Sequence, residues 1–310
     1  MFSNEKDTSP KVLLMGGAEA GKSSIRKVVF EGRNPQNIKT KPTIQFETYL
    51  KELGTTRFAI WDTGGQTSYL DEYVEKGSRM FGNVVALIWV VDIAAEDEIS
   101  RSKFYFDLAL ENLRQNSPEA KVFCFLHKSD LRETYFDYEN LVNFFQNSRF
   151  PDIRFHVTSI YEKSVFLALT DVLSNAVITR STRSLQFLLN DFVDEDIIGV
   201  FIFTEEGLPL FEKVEKESLQ QMVFVSANLW LGTAERFISE LDTADMMDAQ
   251  LMLSKKHVIV LHHLDGSLLL ASIAKRATPI DYIINRTESL AQRFNDAIKN
   301  GEELITLSKS

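Results

Sequence analysis

A chain of 310 residues exceeds the usual size of one compact domain, so two domains are the starting expectation. Hydrophobic content of 44% is ample for packed cores, while a net charge of −10 argues against the basic face that nucleic acid or a general anionic membrane requires. The single cysteine, Cys124, leaves no disulfide within the chain; it suits a reducing compartment and, inside an apolar run, reads as a small core side chain.

The first ten residues are polar and read as a disordered N-terminus without a signal-peptide pattern. Val12-Leu13-Leu14-Met15 then reads as a buried strand, and Ser24 to Phe30 as a helix. Between them Gly16-Gly17-Ala18-Glu19-Ala20-Gly21-Lys22-Ser23 spells a phosphate-binding loop in the strand–loop–helix setting that such a loop needs. Glycines let the backbone wrap an anion, so that N–H groups and the positive end of the helix point at phosphate oxygens. Lys22 adds a full charge near the β- and γ-phosphates, the Ser23 hydroxyl is a candidate Mg²⁺ ligand, and Ser24 belongs to the same cradle.

The polar loop after this helix contains Lys39-Thr40-Lys41-Pro42-Thr43, where a threonine would offer Mg²⁺ a second hydroxyl and the γ-phosphate a backbone N–H. Thr43 is the better candidate and Thr40 the alternative, because loop lengths vary. A loop held this way orders only when the γ-phosphate is present, which makes it a switch. Strands over 44–52 and 57–61 follow, and the second delivers Asp62-Thr63-Gly64-Gly65-Gln66. Asp62, at a strand end, suits Mg²⁺, usually through a water. Gly65 lacks a side chain, so its N–H can approach the γ-phosphate, and Gln66 can orient an attacking water. With Gln66, Lys22 and Gly65 as the catalytic set, hydrolysis is expected rather than transfer to a second substrate.

Strands over 84–91 and 121–126 come next, and the latter opens into His127-Lys128-Ser129-Asp130. A carboxylate accepts two hydrogen bonds, and guanine offers two adjacent donors where adenine does not; Asp130 fits, with the Lys128 stem along the base face. After a strand over 153–157, Thr158-Ser159-Ile160 is placed to cover the base from the other side, the Ile160 N–H meeting the guanine carbonyl. The expected ligands are GTP or GDP with Mg²⁺. Strand and helix alternate as in an α/β fold with a mostly parallel, doubly wound sheet, whose C-terminal strand ends carry the ligand. A helix from Glu162 to Ile178, with Phe166, Leu169, Val172, Leu173 and Val177 at helical spacing, closes a first domain at 11–180.

Residues 181–310 form the second domain, smaller and α+β with an antiparallel sheet. A helix carrying Leu185, Leu188, Leu189 and Phe192 is followed by Ile198 to Phe203 and Leu208 to Phe211, a hairpin across Glu206-Gly207. Ser226 caps a helix with Trp230, Ala234, Phe237, Ile238 and Leu241, and strands over 249–253, 257–263 and 268–274 follow. The last helix shows Ile280, Ile283, Ile284, Leu290, Ala291, Phe294 and Ile298 on one face. Phe201, Phe203, Phe211, Phe224, Trp230 and Phe237 read mostly as core, and His262-His263, neighbours in a strand, point to opposite faces and do not chelate together.

The G-domain motifs in this order resemble the Ras superfamily. The narrower features are similar to the Rag/Gtr GTPases: Gly-Lys-Ser-Ser-Ile-Arg-Lys-Val-Val-Phe over 21–30, Trp61 before Asp62, Gly64-Gly65, His127 where the wider superfamily has asparagine, Thr158-Ser159-Ile160, and Ser117-Pro118-Glu119-Ala120-Lys121. The second half resembles the roadblock domain of that family, a longin-type module being the alternative. The resemblance implies a slow GTP switch that pairs through 181–310 with a second Rag/Gtr-like or roadblock subunit, as a homo- or heterodimer. It also implies a GTPase-activating protein and scaffold proteins, in nutrient or growth signalling at an endomembrane. Residue 2 is Phe and the last four residues hold no cysteine, so neither common lipid anchor is expected. With no apolar run near 20 residues, the expectation is a cytoplasmic chain brought to membranes by partners, without direct insertion. Two rival readings are an Arf-like or gliding-type switch fused to its own roadblock regulator, and a nucleotide-binding scaffold with negligible turnover.

Overall fold

The computed structural model describes residues 9–39, 41–53, 56–132, 137–147, 149–162, 164–177, 188–204, 207–215, 249–265 and 268–307. The chain divides into two units, one of Met1–Lys51 with Arg57–Val177 and the other of Glu52–Thr56 with Ile178–Ser310.

The first unit is an α/β fold around a six-stranded, mostly parallel sheet. In chain order it comprises β1 (Lys11–Gly16), α1 (Lys22–Phe30), β2 (Phe46–Leu53), β3 (Thr56–Thr63), α2 (Thr67–Glu75), α3 (Gly77–Phe81) and β4 (Val84–Asp92). Then come α4 (Glu96–Asn116), β5 (Lys121–His127), α5 (Tyr138–Phe145), β6 (Arg154–Thr158) and α6 (Ser164–Val172). The sheet order is β2-β3-β1-β4-β5-β6, with β1 parallel to β3 and β4, and β5 parallel to β4 and β6. The central strands β1 and β4 are buried almost end to end, because helices cover both faces of a parallel sheet. Leu13, Trp89, Phe106, Leu113 and Phe145 share one core cluster. On α4, Phe106, Leu110 and Leu113 are buried at helical spacing, while Glu96, Asp97 and Glu98 open the helix and Arg114 closes it, in keeping with its dipole.

Register brings the strand ends that matter to one edge. Leu14 pairs with Asp62, Gly16 with Val90, and His127 with both Asp92 and Thr158. Three of the boundaries that differ from expectation have a visible local cause. The first helix starts at Lys22, because Gly21 at φ 100° turns the chain into it directly. Strand β2 starts at Phe46 rather than 44, because Gln45 is left-handed at φ 57° and cannot join a ladder. The closing helix starts at Ser164, since residues 159–162 are held as a turn: Tyr161 N donates to Ser159 Oγ at 3.1 Å and Ser159 N to Ser164 Oγ at 2.9 Å. It ends in a π-helical turn, Leu173–Val177, and residue 178 lies outside the described residues.

The second unit is α+β. Its described elements are β7 (Ile197–Thr204), β8 (Pro209–Val214), β9 (Ala249–Leu253), β10 (His257–Leu264), β11 (Leu268–Lys275) and α7 (Ile280–Leu307). They form a five-stranded antiparallel sheet in the order β8-β7-β11-β10-β9, with α7 packed on β10 and β11. Under that helix Ser272 and Thr287 hydroxyls meet at 2.6 Å and Thr287 Oγ1 donates to Ile283 O at 2.7 Å, so the buried polar pair is satisfied. Phe201 and Phe203 stack at 5.8 Å with Ile259 and Leu261 in their cluster, and Phe211 is also buried. Residues 188–192 form turns rather than helix; the rest of that expected helix, the one expected from Ser226 with Trp230 and Phe237, and the expected core residue Phe224 lie outside the described residues. His262 Nδ1 lies 2.9 Å from His263 O, and no group of three or more His, Cys, Asp or Glu among the described residues forms a metal cluster. No helix among the described residues is long and apolar enough to cross a membrane.

Candidate functional site

The loop after β1 closes over the N-terminus of α1. That helix has no side-chain cap, so its first-turn N–H groups face the loop, and the first helical bond runs from Ile25 N to Gly21 O at 2.9 Å. A Cβ on Gly21 would sit 2.6 Å from the His127 ring, which packs directly beneath it. Lys22, only 6% exposed, donates from Nζ to Gly16 O at 2.9 Å and Gly17 O at 2.6 Å. The loop fronts a cavity of about 420 Å³ lined by Ala18–Ser24, Lys41–Thr43, Thr63, Gly65, Gln66 and Lys128.

Burial pushes the Lys22 ammonium down to about 8, with the Asp62 charge pulling it partly back. A phosphate seated over Lys22 favours the charged form, so binding above that pH must take up a proton. Affinity for a phosphate ligand at this loop is therefore expected to be level below about pH 7 and to fall towards about tenfold per unit from about pH 9, until the bound-state pKa is passed. Calorimetry in buffers of different ionisation enthalpy should show uptake near pH 9 and none at neutrality; equal heats throughout would remove Lys22 from phosphate binding.

On the side facing α1, Ser23 Oγ and Thr43 Oγ1 lie 3.0 Å apart although 20 residues separate them. Thr40 lies outside the described residues. Asp62 is fully buried; its Oδ2 accepts from Arg26 Nε at 3.1 Å, while its Oδ1 is buried without any hydrogen-bond partner. Two adjacent hydroxyls and an unpartnered buried carboxylate oxygen are the hard oxygen donors that Mg²⁺ takes, so these residues fit that ion.

Arg26 is a residue that sequence reasoning missed. It is 2% exposed and also bonds Glu31, lies 3.8 Å from Glu47 Oε2, and sets its guanidinium 3.8 Å from the centre of the Tyr49 ring. The available signal was an arginine beside Ile25 on a helix whose other buried apolar residues are Val28, Val29 and Phe30. A buried guanidinium demands an anion, and Asp62 is that anion.

The loops expected to face the base follow β5 and β6. Lys128 is left-handed at φ 66°, and its Nζ donates to Asp92 Oδ2 at 2.6 Å. Asp130 is exposed on a single 3₁₀ turn, Ser129–Leu131. His127 is buried, its Nδ1 is 2.9 Å from Thr158 Oγ1, and burial pushes its ring down to about 4, so it is neutral at physiological pH. His127 thus supports Gly21 from below, away from the cavity. Ser159 is likewise buried and spends its hydroxyl on Tyr161 N, whereas Ile160 is half-buried. Cys124 is buried within β5, and burial pushes its thiol well up, leaving a protonated core side chain.

Opposite the loop, Gly65 presses on Gly17: a Cβ there would lie 2.2 Å from Gly17 O and 2.5 Å from Ala18 N. Gln66 caps α2 with its backbone carbonyl, leaving its side chain exposed; it lines both the main cavity and a second one of about 270 Å³ between α2 and α4.

The conserved region of the Gtr1/RagA G proteins matches residues 11–239. The chain belongs to the Gtr1/RagA G protein family. The chain is 32% identical to GTP-binding protein gtr1 of Schizosaccharomyces pombe over 190 residues, 59% of this chain and 60% of that protein. It is 33% identical to GTP-binding protein GTR1 of Saccharomyces cerevisiae over 187 residues, 57% of this chain and 59% of that one. Ras-related GTP-binding protein C of Homo sapiens is 28% identical over 208 residues, 63% of this chain and 51% of that one. The chain thus spans about three-fifths of the length of these two yeast proteins. Among solved structures, the Arl6 BBS3 small GTPase of Trypanosoma brucei aligns with 53% of this chain and 95% of its own, at TM-score 0.43 and 19% identity. The Gtr1/RagA match begins at the first residue of β1 and includes every site loop described above.

Proposed function

We propose that this Gtr1/RagA family chain binds GTP and GDP with Mg²⁺ and hydrolyses GTP slowly, as a switch. The observation that carries the reading is the 3.0 Å approach of the Ser23 and Thr43 hydroxyls, one from the phosphate loop and one from a loop that only tertiary closure brings there. Ser23 and Thr43 would hold Mg²⁺ with Asp62, and the ion would neutralise charge shared by the β- and γ-phosphates. Lys22 offers its ammonium to the same oxygens, Gly65 its N–H to the γ-phosphate, and Gln66 orients the attacking water. Asp130 reads the guanine edge, Lys128 lies along the base face, and Ile160 N meets the base carbonyl. The exposed side of Gln66 leaves room for an arginine from an activating protein, worth about 10³- to 10⁵-fold in rate.

The relatives are named as GTP-binding proteins, and the second unit's antiparallel sheet with a long helix supports a roadblock-type module. On this reading residues 181–310 pair with a second Rag/Gtr-like or roadblock subunit. The assembly then meets scaffold proteins at an endomembrane in nutrient or growth signalling. Single-turnover hydrolysis of GTP by the intact chain tests the chemistry. Gln66→Leu should keep GTP affinity within a few fold while lowering the stimulated rate at least about tenfold. Normal turnover in that variant would transfer the water-placing role to another group, and no turnover in the natural chain would leave only a nucleotide-binding scaffold.

A further inference from the structure

Beside the cavity, contacts from two elements converge on one backbone carbonyl. Gln45 O accepts from Gly64 N at 2.5 Å and from the Tyr73 hydroxyl. Gln45 is left-handed at φ 57°, a conformation that a non-glycine residue keeps only where its surroundings hold it. Gly64 lies against the same segment: a Cβ there would be 2.6 Å from Thr43 O and 3.0 Å from Gln45 O. Tyr73 comes from α2, is 3% exposed, and has its ring in the core cluster with Leu70 and Trp89, so its hydroxyl is aimed by packing. Burial also pushes its pKa up, so the hydroxyl stays a donor at physiological pH.

We propose that Tyr73 is a positioning residue for Thr43, holding the 43–45 segment through the Gln45 carbonyl where the Thr43 hydroxyl meets that of Ser23. The inference rests on the switch reading given above. A contact made only in the closed loop state stabilises whichever ligand needs that state. GTP needs it, because its γ-phosphate and the metal meet Thr43; GDP offers no group there. Deleting the Tyr73 hydroxyl leaves Gln45 O still bonded to Gly64 N, so no buried acceptor is orphaned. The cost is one neutral hydrogen bond, which corresponds to about three- to tenfold in affinity.

The test uses the full chain and its Tyr73→Phe variant, which keeps the buried ring. Affinities for GDP and for a non-hydrolysable GTP analogue are measured at saturating Mg²⁺. The analogue should weaken about three- to tenfold while GDP stays within about twofold. Trp61 stacks on Phe46 at 4.5 Å, next to Gln45, so the GTP-minus-GDP difference in Trp61 emission, isolated with a Trp61→Phe control, should shrink in parallel. Equal weakening for both nucleotides would make Tyr73 a core residue only, and no change for either would also overturn the proposal. If the natural chain binds neither nucleotide, the switch reading falls and this inference with it. If it binds both and Tyr73→Phe behaves identically, the positioning role alone falls.

Discussion

Gly65→Ala is expected to slow single-turnover GTP hydrolysis about a hundredfold while leaving GDP affinity within a few fold. The added Cβ would meet Gly17 O at 2.2 Å, Gly17 C at 2.3 Å and Ala18 N at 2.5 Å. All three are backbone atoms of the phosphate loop, so no side chain can swing aside. A bound diphosphate holds that loop, and relief then falls on the Asp62–Gln66 segment, which must retreat by roughly 1 Å to reach ordinary contact. A misplacement of that size near reacting atoms costs about 10² in rate. On the proposed reading the Gly65 N–H and the Gln66 side chain would move away from the γ-phosphate together, whereas the proposed base and β-phosphate contacts lie elsewhere. Rapid-quench kinetics and fluorescent GDP titration measure the two quantities. A near-normal rate would show that the reacting phosphate does not sit between Gly65 and the loop.

Arg26→Met should lower the thermal midpoint of the first unit by about 6 to 20 °C. The substitution leaves Asp62 fully buried with no cation on either oxygen, and breaking one side of a buried pair costs about 3–5 kcal/mol. For a unit of this size each kcal/mol moves the midpoint by about 2–4 °C. It also removes the guanidinium from Glu31, Glu47 and the Tyr49 ring, which tie the end of α1 and strand β2 to the same point. Arg26→Lys should lose less, keeping a charge beside Asp62 but neither the fork nor the flat face over Tyr49. Scanning calorimetry at one fixed GDP concentration makes the comparison, since bound nucleotide adds its own stability. A shift under a few degrees would mean that Asp62 accepts protonation or another partner at little cost.

Local chemistry makes the phosphate loop legible in the sequence. A glycine-rich turn between an apolar strand and a helix is defined by neighbours along the chain, and strands β1, β3, β4 and β5 lie within two residues of their expected ends because near-continuous burial writes near-continuous apolar runs. The same logic found the hairpin of β7 and β8 and the three strands before the last helix. It overextended β2, since nothing in the letters of Gln45 announces a left-handed residue. It also ran the closing helix through Glu162, where two side-chain hydrogen bonds hold a turn instead.

Contacts between distant segments were another matter. Sequence left Thr43 and Thr40 as alternatives, because a loop's length does not say which hydroxyl reaches Ser23; closure put Thr43 there at 3.0 Å. It placed His127 with the base readers, and burial instead set that ring under Gly21. It passed over Arg26 and Tyr73, whose partners at Asp62 and Gln45 lie 36 and 28 residues away. Residue types at fixed local spacing thus determined that this chain holds a glycine-rich loop between strand and helix and an α/β sheet to carry it, and they supply the loop over 127–130 proposed to read guanine. Only the tertiary structure decided which hydroxyls, carboxylates and carbonyls share a point in space, because those meetings depend on how separate segments pack rather than on the chemistry of either one.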